Sequence, residues 1–434
     1  MGQHTFRDYV LGSAQIGIGL GVVSLLARWV TGNTIIASPE SIVKYGVFGG
    51  IGYAFMGALA MMGFGWLGKK VRKQFSAGQT IGDYLQYKLH PAGYWIMLGI
   101  LFFISMDAMF MQGMAVGVLL NILFDVPVSI GLFCFFLFCI LYAGIGGINL
   151  IQRIAVFQVV FMFAAAILIP VYFFVQEGID QVYDGIRLYH PYLLVLNNYE
   201  GIYFMVTGIL IGFGQVFSDR SSWQRLYMLE ERKIVPTFLL TGVIWSTFPL
   251  AFSTLFLIVI YTGGFDDTYS LLSDLIHKID TPFLLLLFVL CIFSAITSTF
   301  GAELQALTSL FVRNVYAVLK PGGSEKHLLR TGYTTAVVIG TISFALTFYF
   351  SPRLLELLFF FGIFYASLMV TIVAIVLHKG KADNFIPLCS VVGIAVGYAV
   401  RGVAGHLNSI WICAGVTLLL IVVYIGGKRL IGKY

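Results

Sequence analysis

Long apolar runs alternate with short polar connections along almost the whole chain. A transmembrane helix needs roughly 20 mainly apolar residues, and about twelve runs of that kind fit between residues 9 and 424. The pattern therefore predicts an all-α, polytopic membrane protein with about 12 transmembrane helices.

Two of these runs are interrupted by polar and small residues. The first, drawn from Tyr9 to Ala37, carries Arg28 near its middle, and the sixth, drawn from Ile202 to Met228, carries Asp219. Runs one and six are equivalent if ten helices form two five-helix repeats of opposite orientation. Broken helices at matching positions of inverted repeats are typical of transporters, because their free carbonyl and amide groups bind ions and solute at mid-membrane.

This reading divides the chain into two parts. Residues 1–377 are predicted to form a ten-helix transporter core, with repeat one at about 9–174 and repeat two at about 202–377. Residues 378–434 are predicted to add two transmembrane helices and a short basic tail. The predicted fold is thus a 5+5 inverted-repeat core with broken helices 1 and 6 plus two C-terminal helices.

Composition agrees with the apolar runs. Hydrophobic residues make up 59% of the chain, charged residues 11%, and the mean hydropathy is +0.92, which is far from a soluble domain. The net charge of +6 is explained by loop asymmetry rather than by nucleic-acid binding. The five cysteines lie in apolar runs without metal-ligand spacing, so no cofactor is expected.

The basic residues indicate the orientation in the membrane. They cluster in loops on one side, as in Lys69–Lys73, at Arg232 and Lys233, and after the last apolar run. Cytoplasmic loops carry such an excess of lysine and arginine. We therefore expect a multi-pass protein of the cell membrane, inner or plasma, with both termini in the cytoplasm.

The eighth run carries polar groups at membrane depth. At 100° per residue, Ala295, Ser298, Thr299, Ala302 and Glu303 share one helix face. Polar residues at that depth face the bundle interior rather than lipid. Two hydroxyls, a small gap and a carboxylate on one face indicate a place for an ion.

Three segments, in this order, resemble motifs of the sodium/solute symporter family. Tyr142–Gln158 is similar to the family's Tyr-x-x-x-Gly-Gly run, Asp219–Arg225 to its Asp-Gln-x-x-x-Gln-Arg motif, and Ala295–Tyr316 to its Ala-x-x-Ser-Ser run. The resemblance covers roughly residues 13–377. It implies sodium-coupled transport by alternating access between outward-open and inward-open states.

The resemblance also implies a sodium site. Carried over position by position, its ligands are three backbone carbonyls and two hydroxyls: Ala27, Val30 and Ala295, with Ser298 and Thr299. Where family members with a second sodium site have a Thr-Asp pair, this chain has Ile154 and Ala155. One sodium per solute is therefore expected.

Residues around both breaks are the candidates for binding solute: Arg28, Trp29, Asn33, Thr34, Gln215 and Asp219. The guanidinium of Arg28 could clamp a carboxylate of the solute, or it could pair with an internal acid such as Asp219 or Glu303. The first reading favours a small carboxylate- or amino-acid-like solute.

Three functions remain open from the sequence. The preferred one is sodium-coupled symport of a small organic solute, which requires membrane lipid, solute and sodium as partners, with no nucleic acid and no obligate protein partner. The second is proton-coupled symport in which Glu303 carries the proton. The third is a membrane sensor whose transporter-like module binds solute. An enzyme is not expected, because no nucleophile or acid/base pair with suitable spacing emerges.

Overall fold

The computed structural model describes residues 5–12, 15–124, 127–265, 270–350 and 354–430, and the regular elements in these ranges are helices. Eleven of those helices are long and apolar enough to cross a membrane, and one bent pair brings the number up to 12. The predicted all-α class and span number are confirmed.

The described residues of the first half of the chain form nine helices. They are α1 (Phe6–Leu11), α2 (Ile18–Trp29), α3 (Gly32–Tyr45), α4 (Val47–Gln74), α5 (Ile81–Lys88), α6 (Pro91–Phe124), α7 (Val128–Cys139, continued by a π-helical turn over Ile140–Ile145), α8 (Gly147–Glu177) and α9 (Ile179–Tyr189).

A 3-10 turn, Pro191–Leu194, leads into the second half. Its helices are α10 (Tyr199–Ser218), α11 (Arg220–Met228), α12 (Glu231–Ile260), α13 (Ser270–Lys278), α14 (Pro282–Phe311, continued by a π-helical turn over Val312–Tyr316), α15 (Ala317–Leu319), α16 (Glu325–Tyr349), α17 (Leu354–Leu377), α18 (Phe385–Ala404) and α19 (His406–Leu430).

The first span is broken as predicted, but its bounds differ from the predicted ones. Tyr9 belongs to the separate short helix α1, and the membrane helix α2 begins only at Ile18. The second half, α3, bends by 63° from α2 and continues past Ala37 to Tyr45. It passes through Pro39, which removes only one backbone donor from the helix and lies buried in the bundle.

The second break is a single residue. α10 ends at Ser218, Asp219 adopts an extended conformation with φ −71° and ψ 111°, and α11 begins at Arg220. Each half of the core therefore starts with a broken helix, and the architecture is the 5+5 inverted repeat that was predicted. α18 and α19 follow the core, packing against each other and α17. The division of the chain at residue 377 stays a prediction.

Two glycines allow the broken helices to approach their neighbours. A Cβ on Gly32, at the start of α3, would lie 2.6 Å from the Ile296 side chain of α14. A Cβ on Gly214, in α10, would lie 1.9 Å from the backbone oxygen of Tyr365 in α17. Real Cβ atoms do not come this close, so both contacts depend on glycine.

The short helix α5 begins after Thr80, which caps it by accepting from the Asp83 N–H at 3.2 Å. Ile81 and Tyr84 of this helix are buried against the bundle. Asp83 also accepts from Arg313 at 2.7 Å. This ion pair ties α5 to the end of α14.

Candidate solute and ion site

The break between α2 and α3 is built by a pair of threonines. Val30 is extended, and Thr31 caps α3: its hydroxyl accepts from the Thr34 N–H at 2.9 Å, while the Thr34 hydroxyl accepts from the Thr31 N–H at 3.3 Å. This reciprocal capping box satisfies two backbone donors that the helix itself cannot. The local sequence therefore stops one helix and starts the next within two residues.

The capping box frees two backbone carbonyls. In an unbroken helix the N–H groups of Thr31 and Thr34 would donate to the carbonyls of Ala27 and Val30, four residues earlier. Here both N–H groups donate to hydroxyls instead. The carbonyl oxygens of Ala27 and Val30 have lost their helical donors, which is what a cation site made of backbone oxygens requires.

The carbonyls of Arg28 and Trp29, which lie between Ala27 and Val30 in the chain, accept hydrogen bonds from side chains of other helices. Thr299 of α14 donates its hydroxyl to the carbonyl of Arg28 at 3.2 Å, and the Trp245 indole N–H donates to the carbonyl of Trp29 at 2.6 Å. The predicted hydroxyl face of α14 therefore lies against the first break. The neighbouring residue, Ser298, donates to the carbonyl of Ala295, about one turn earlier in α14, at 3.1 Å.

Four buried charges connect the two breaks. Arg28 Nη2 lies 2.6 Å from Asp219 Oδ1 and 3.0 Å from Glu303 Oε2. Arg220 pairs with the other oxygen of Glu303, its Nε lying 2.9 Å from Oε1. Two arginines thus neutralise two carboxylates in the bundle interior, where an unpaired charge would be costly.

The second break is held by the same residues. The free oxygen Oδ2 of Asp219 accepts from the Ser222 N–H at 2.7 Å and so caps α11. The Trp29 indole N–H donates to the Ser222 hydroxyl at 3.0 Å. Both oxygens of Asp219 are therefore occupied, and a residue of each break contacts the other break.

A cavity of about 70 Å³ opens between the breaks. All six residues predicted to bind solute lie in its wall: Arg28, Trp29, Asn33, Thr34, Gln215 and Asp219, together with Thr299 of the predicted sodium set. The other predicted residues lie outside the wall: Ala27, Val30, Ala295 and Ser298, with Glu303 behind Arg28 and Arg220.

The predicted solute set did not include several residues of the wall, among them Asp107, Arg220, Trp245 and Tyr365. Asp107 of α6 is 2% exposed, and its Oδ2 accepts from the Tyr365 hydroxyl at 2.7 Å. The signal was available for Asp107, since an acid inside a long apolar run points to a functional site. Among the described residues there is no cluster of three histidine, cysteine or acidic side chains that could hold a metal.

Two solved transporter structures resemble this architecture. A Na⁺-coupled sialic acid symporter, in a substrate-bound outward-open state, superposes with a TM-score of 0.79 over 96% of this chain and 92% of its own, at 16% identity. The chain has the fold of inverted-repeat symporters. Mhp1, a nucleobase-cation-symport-1 family transporter in a closed conformation, gives a TM-score of 0.61 over 96% and 93% of the two chains, at 12% identity.

Sequence relatives come from fungi and plants, while no protein-family model matches the chain. The chain is 22% identical to a probable urea active transporter of Schizosaccharomyces pombe over 377 residues, which is 77% of this chain and 55% of the relative. It is also 22% identical to the urea active transporter of Saccharomyces cerevisiae (77% and 50%) and to the urea-proton symporter DUR3 of Oryza sativa (78% and 52%).

The chain thus spans about half the length of the relatives it matches. These relatives are transporters, not enzymes, which agrees with the expectation drawn from the sequence. With the apolar helices, they support a multi-pass membrane protein and the coarser part of the family resemblance, the symporter fold.

Proposed function

We propose that this protein is a secondary active symporter that couples sodium entry to the uptake of a small polar solute across the cell membrane. The observation that carries the proposal is the meeting of both helix breaks at one polar cavity. Unwound helix segments facing each other at mid-membrane are the usual binding site of this fold. The basic loops favour cytoplasmic termini.

Sodium is the coupling ion in this proposal. The carbonyls of Ala27 and Val30 have lost their helical donors, and the Thr299 hydroxyl lies against the same break. Ala295 and Ser298 complete the proposed ligand set. Such oxygens can replace the water shell of a hard cation. Bound sodium would hold the first break in one conformation, and other residues of that break line the cavity. Sodium and solute therefore favour the same state, and each raises the protein's affinity for the other.

The charges at the cavity favour a neutral solute. The two arginines at the cavity already pair with Asp219 and Glu303, so a carboxylate solute would have to compete with internal acids. A small neutral solute fits better, and urea, which the relatives' names give, has four non-hydrogen atoms.

Proton coupling is the second candidate, because one relative is a urea-proton symporter. The version of this mechanism that the sequence suggests has Glu303 as the proton carrier. Both oxygens of Glu303, however, accept from arginines. Protonation of Glu303 would break two buried ion pairs, which favours a fixed structural role for this residue.

The test is the thermal stability of the purified protein, titrated with sodium chloride against choline chloride at constant ionic strength. We expect saturable stabilisation by sodium, since a ligand that binds only the folded state stabilises it, by about 2.7 kcal/mol at a hundred times its Kd. The variant Ser298→Ala/Thr299→Ala should lose this response.

A matched control is Ser343→Ala/Thr347→Ala on α16. These hydroxyls are also buried and donate to carbonyls one turn back, at 2.9 Å each, but they line no part of the cavity. The control should keep the sodium response. Equal stabilisation by sodium and choline in the wild type would contradict sodium coupling, and a pH response lost in Glu303→Gln would move the coupling to protons.

A further inference from the structure

Three buried atoms in the cavity wall have no hydrogen-bond partner within the described part of the chain. They are Arg28 Nε, Asn33 Oδ1 and Asp107 Oδ1. The three residues are 5%, 7% and 2% exposed. The first atom is a donor and the other two are acceptors. Buried polar groups are nearly always paired, so a group left open at a binding cavity points to what the cavity binds.

The surroundings of Asp107 hold its carboxylate in place. The Tyr365 hydroxyl donates to Oδ2 at 2.7 Å, so only Oδ1 remains open. The backbone of Tyr365 is itself fixed against Gly214, where no side chain would fit. Asp107 forms no ion pair with a lysine or arginine among the residues that the structure describes. Its Oδ1 is therefore a buried acceptor without a partner at the cavity wall.

The open atoms match one kind of solute. Two acceptors call for two N–H donors, and the Nε–H of Arg28 calls for one acceptor. A carbonyl flanked by two amino groups supplies this set within a planar frame of four non-hydrogen atoms. A guanidinium of the same shape has no acceptor for Arg28, and an acetate has no donor for either oxygen.

We propose that Asp107, positioned by Tyr365, is a specificity-determining residue that accepts an N–H of a urea-type solute. In this arrangement Arg28 Nε donates to the solute carbonyl and Asn33 accepts from the second amino group. The proposal rests on the proposed function, because it takes the cavity to be the solute site. Beyond that function, it names the atoms that form hydrogen bonds to the solute and the chemical class of solute that they select.

The experiment uses an isosteric series. Urea, acetamide and acetone share one planar frame, and each step replaces an amino group by a methyl group. Equilibrium binding of radiolabelled urea to the purified full chain is measured in saturating sodium chloride, with unlabelled acetamide and acetone as competitors. Each lost N–H leaves one acceptor buried and unpaired, so each step should weaken competition by about 5- to 150-fold.

Variants at Asp107 test the assignment. In Asp107→Asn the Tyr365 hydroxyl keeps the amide oxygen, so the amide N–H₂ faces the solute as a donor, and the preference for urea over acetamide should disappear. In Tyr365→Phe the carboxylate loses its fixed position, and the preference should fall less. Ser105→Ala is the control, because Ser105 is buried on the same helix and bonds only the Leu101 carbonyl, at 2.7 Å. It should keep the wild-type ratio.

The outcomes are separable. Competition by acetone as strong as that by urea would overturn the solute class, and so would wild-type protein that binds no urea. An unchanged ratio of urea to acetamide affinity in both Asp107→Asn and Tyr365→Phe would overturn the role of Asp107. Sodium stabilisation of the wild type, measured separately, reports on the proposed function. It can persist when the solute assignment fails, or be absent when urea selectivity is found.

Discussion

Arg28, in the last turn of α2, donates a 2.6 Å hydrogen bond to Asp219, the extended residue between α10 and α11. Each residue belongs to the break of a different repeat, and both are at most 5% exposed. A buried pair is not in itself strong evidence for stability, because two charges lose their water shells. Its effect here is to join the two breaks directly.

The first prediction concerns this pair. Asp219→Asn keeps the cap on α11, since asparagine caps as well as aspartate, but it removes the charge opposite Arg28. We expect a loss of about 3–5 kcal/mol in the free energy of unfolding, because Arg28 keeps only Glu303, which it shares with Arg220. Thermal melts without sodium or solute measure this.

The double variant Arg28→Gln/Asp219→Asn measures the interaction between the two residues. Residues in contact have interaction free energies of about 0.5–3 kcal/mol, so the double variant should lose less stability than the sum of the losses in the two single variants. The control is Lys73→Gln/Glu231→Gln, an exposed pair 3.9 Å apart whose removal should cost at most about 1 kcal/mol. Strict additivity of the buried pair would show that the contact does not join the breaks.

The second prediction distinguishes a fixed ion pair from a proton carrier at Glu303. Because both of its oxygens accept from arginines, Glu303→Gln should lower the melting temperature by a similar amount at pH 5.5 and at pH 8.0. A proton carrier would instead give a wild type whose sodium-free solute binding depends on pH, and a Gln variant that no longer responds to pH. That result would support proton-coupled symport.

The third prediction uses two glycines of the same broken span. A Cβ at Gly32 would press against Ile296 at 2.6 Å and Ala115 at 3.1 Å, whereas a Cβ at Gly19 meets nothing within 4 Å. Gly32→Ala should therefore destabilise the protein by about 1–3 kcal/mol and weaken its response to sodium.

Gly19→Ala should be neutral or stabilising by up to about 1 kcal/mol, since alanine favours a helix over glycine. Thermal melts of the two variants, measured side by side, give the change in stability for each. An equal loss of stability in both variants would mean that the loss of glycine's backbone flexibility, not close packing at the break, causes the destabilisation.

The fourth prediction concerns the capping box. Thr31→Val removes the hydroxyl that holds the Thr34 N–H, which should cost roughly 1 kcal/mol of stability. It also returns the Thr34 N–H to the carbonyl of Val30, so the sodium response should weaken as well. Thr31→Ser keeps a capping hydroxyl and should restore both. A full sodium response in Thr31→Val would remove the carbonyl of Val30 from the proposed ligand set.

The sequence predicted the fold well because the membrane limits the possible answers. An apolar segment of about 20 residues that crosses the bilayer forms a helix, because a helix satisfies all of its backbone hydrogen-bonding groups within the segment. The break near Arg28 was also predicted locally, and Thr31 and Thr34 explain it through their own backbone. The bounds were less certain. The first span was drawn to end at Ala37, but α3 passes through Pro39 and continues to Tyr45.

For charged residues far apart in the chain, the sequence indicated alternative partners but did not decide between them. The sequence offered Arg28 either a solute or an internal acid, and the structure gives it both Asp219 and Glu303, 191 and 275 residues away. The roles of the predicted sodium and solute residues stay predictions, although the cavity gathers all six of the solute set.

The sequence by itself determined the helices, their number, the two breaks and the polar face of α14, because these follow from local hydrophobicity and hydrogen-bonding chemistry. Only the tertiary structure decided which charges neutralise each other and which polar atoms stay open. Asp107 of α6 and Tyr365 of α17, 258 residues apart, meet because α17 packs against α6 as well as against α10, where Gly214 touches the backbone of Tyr365. No local pattern encodes that meeting, since it depends on how separate helices pack around one cavity.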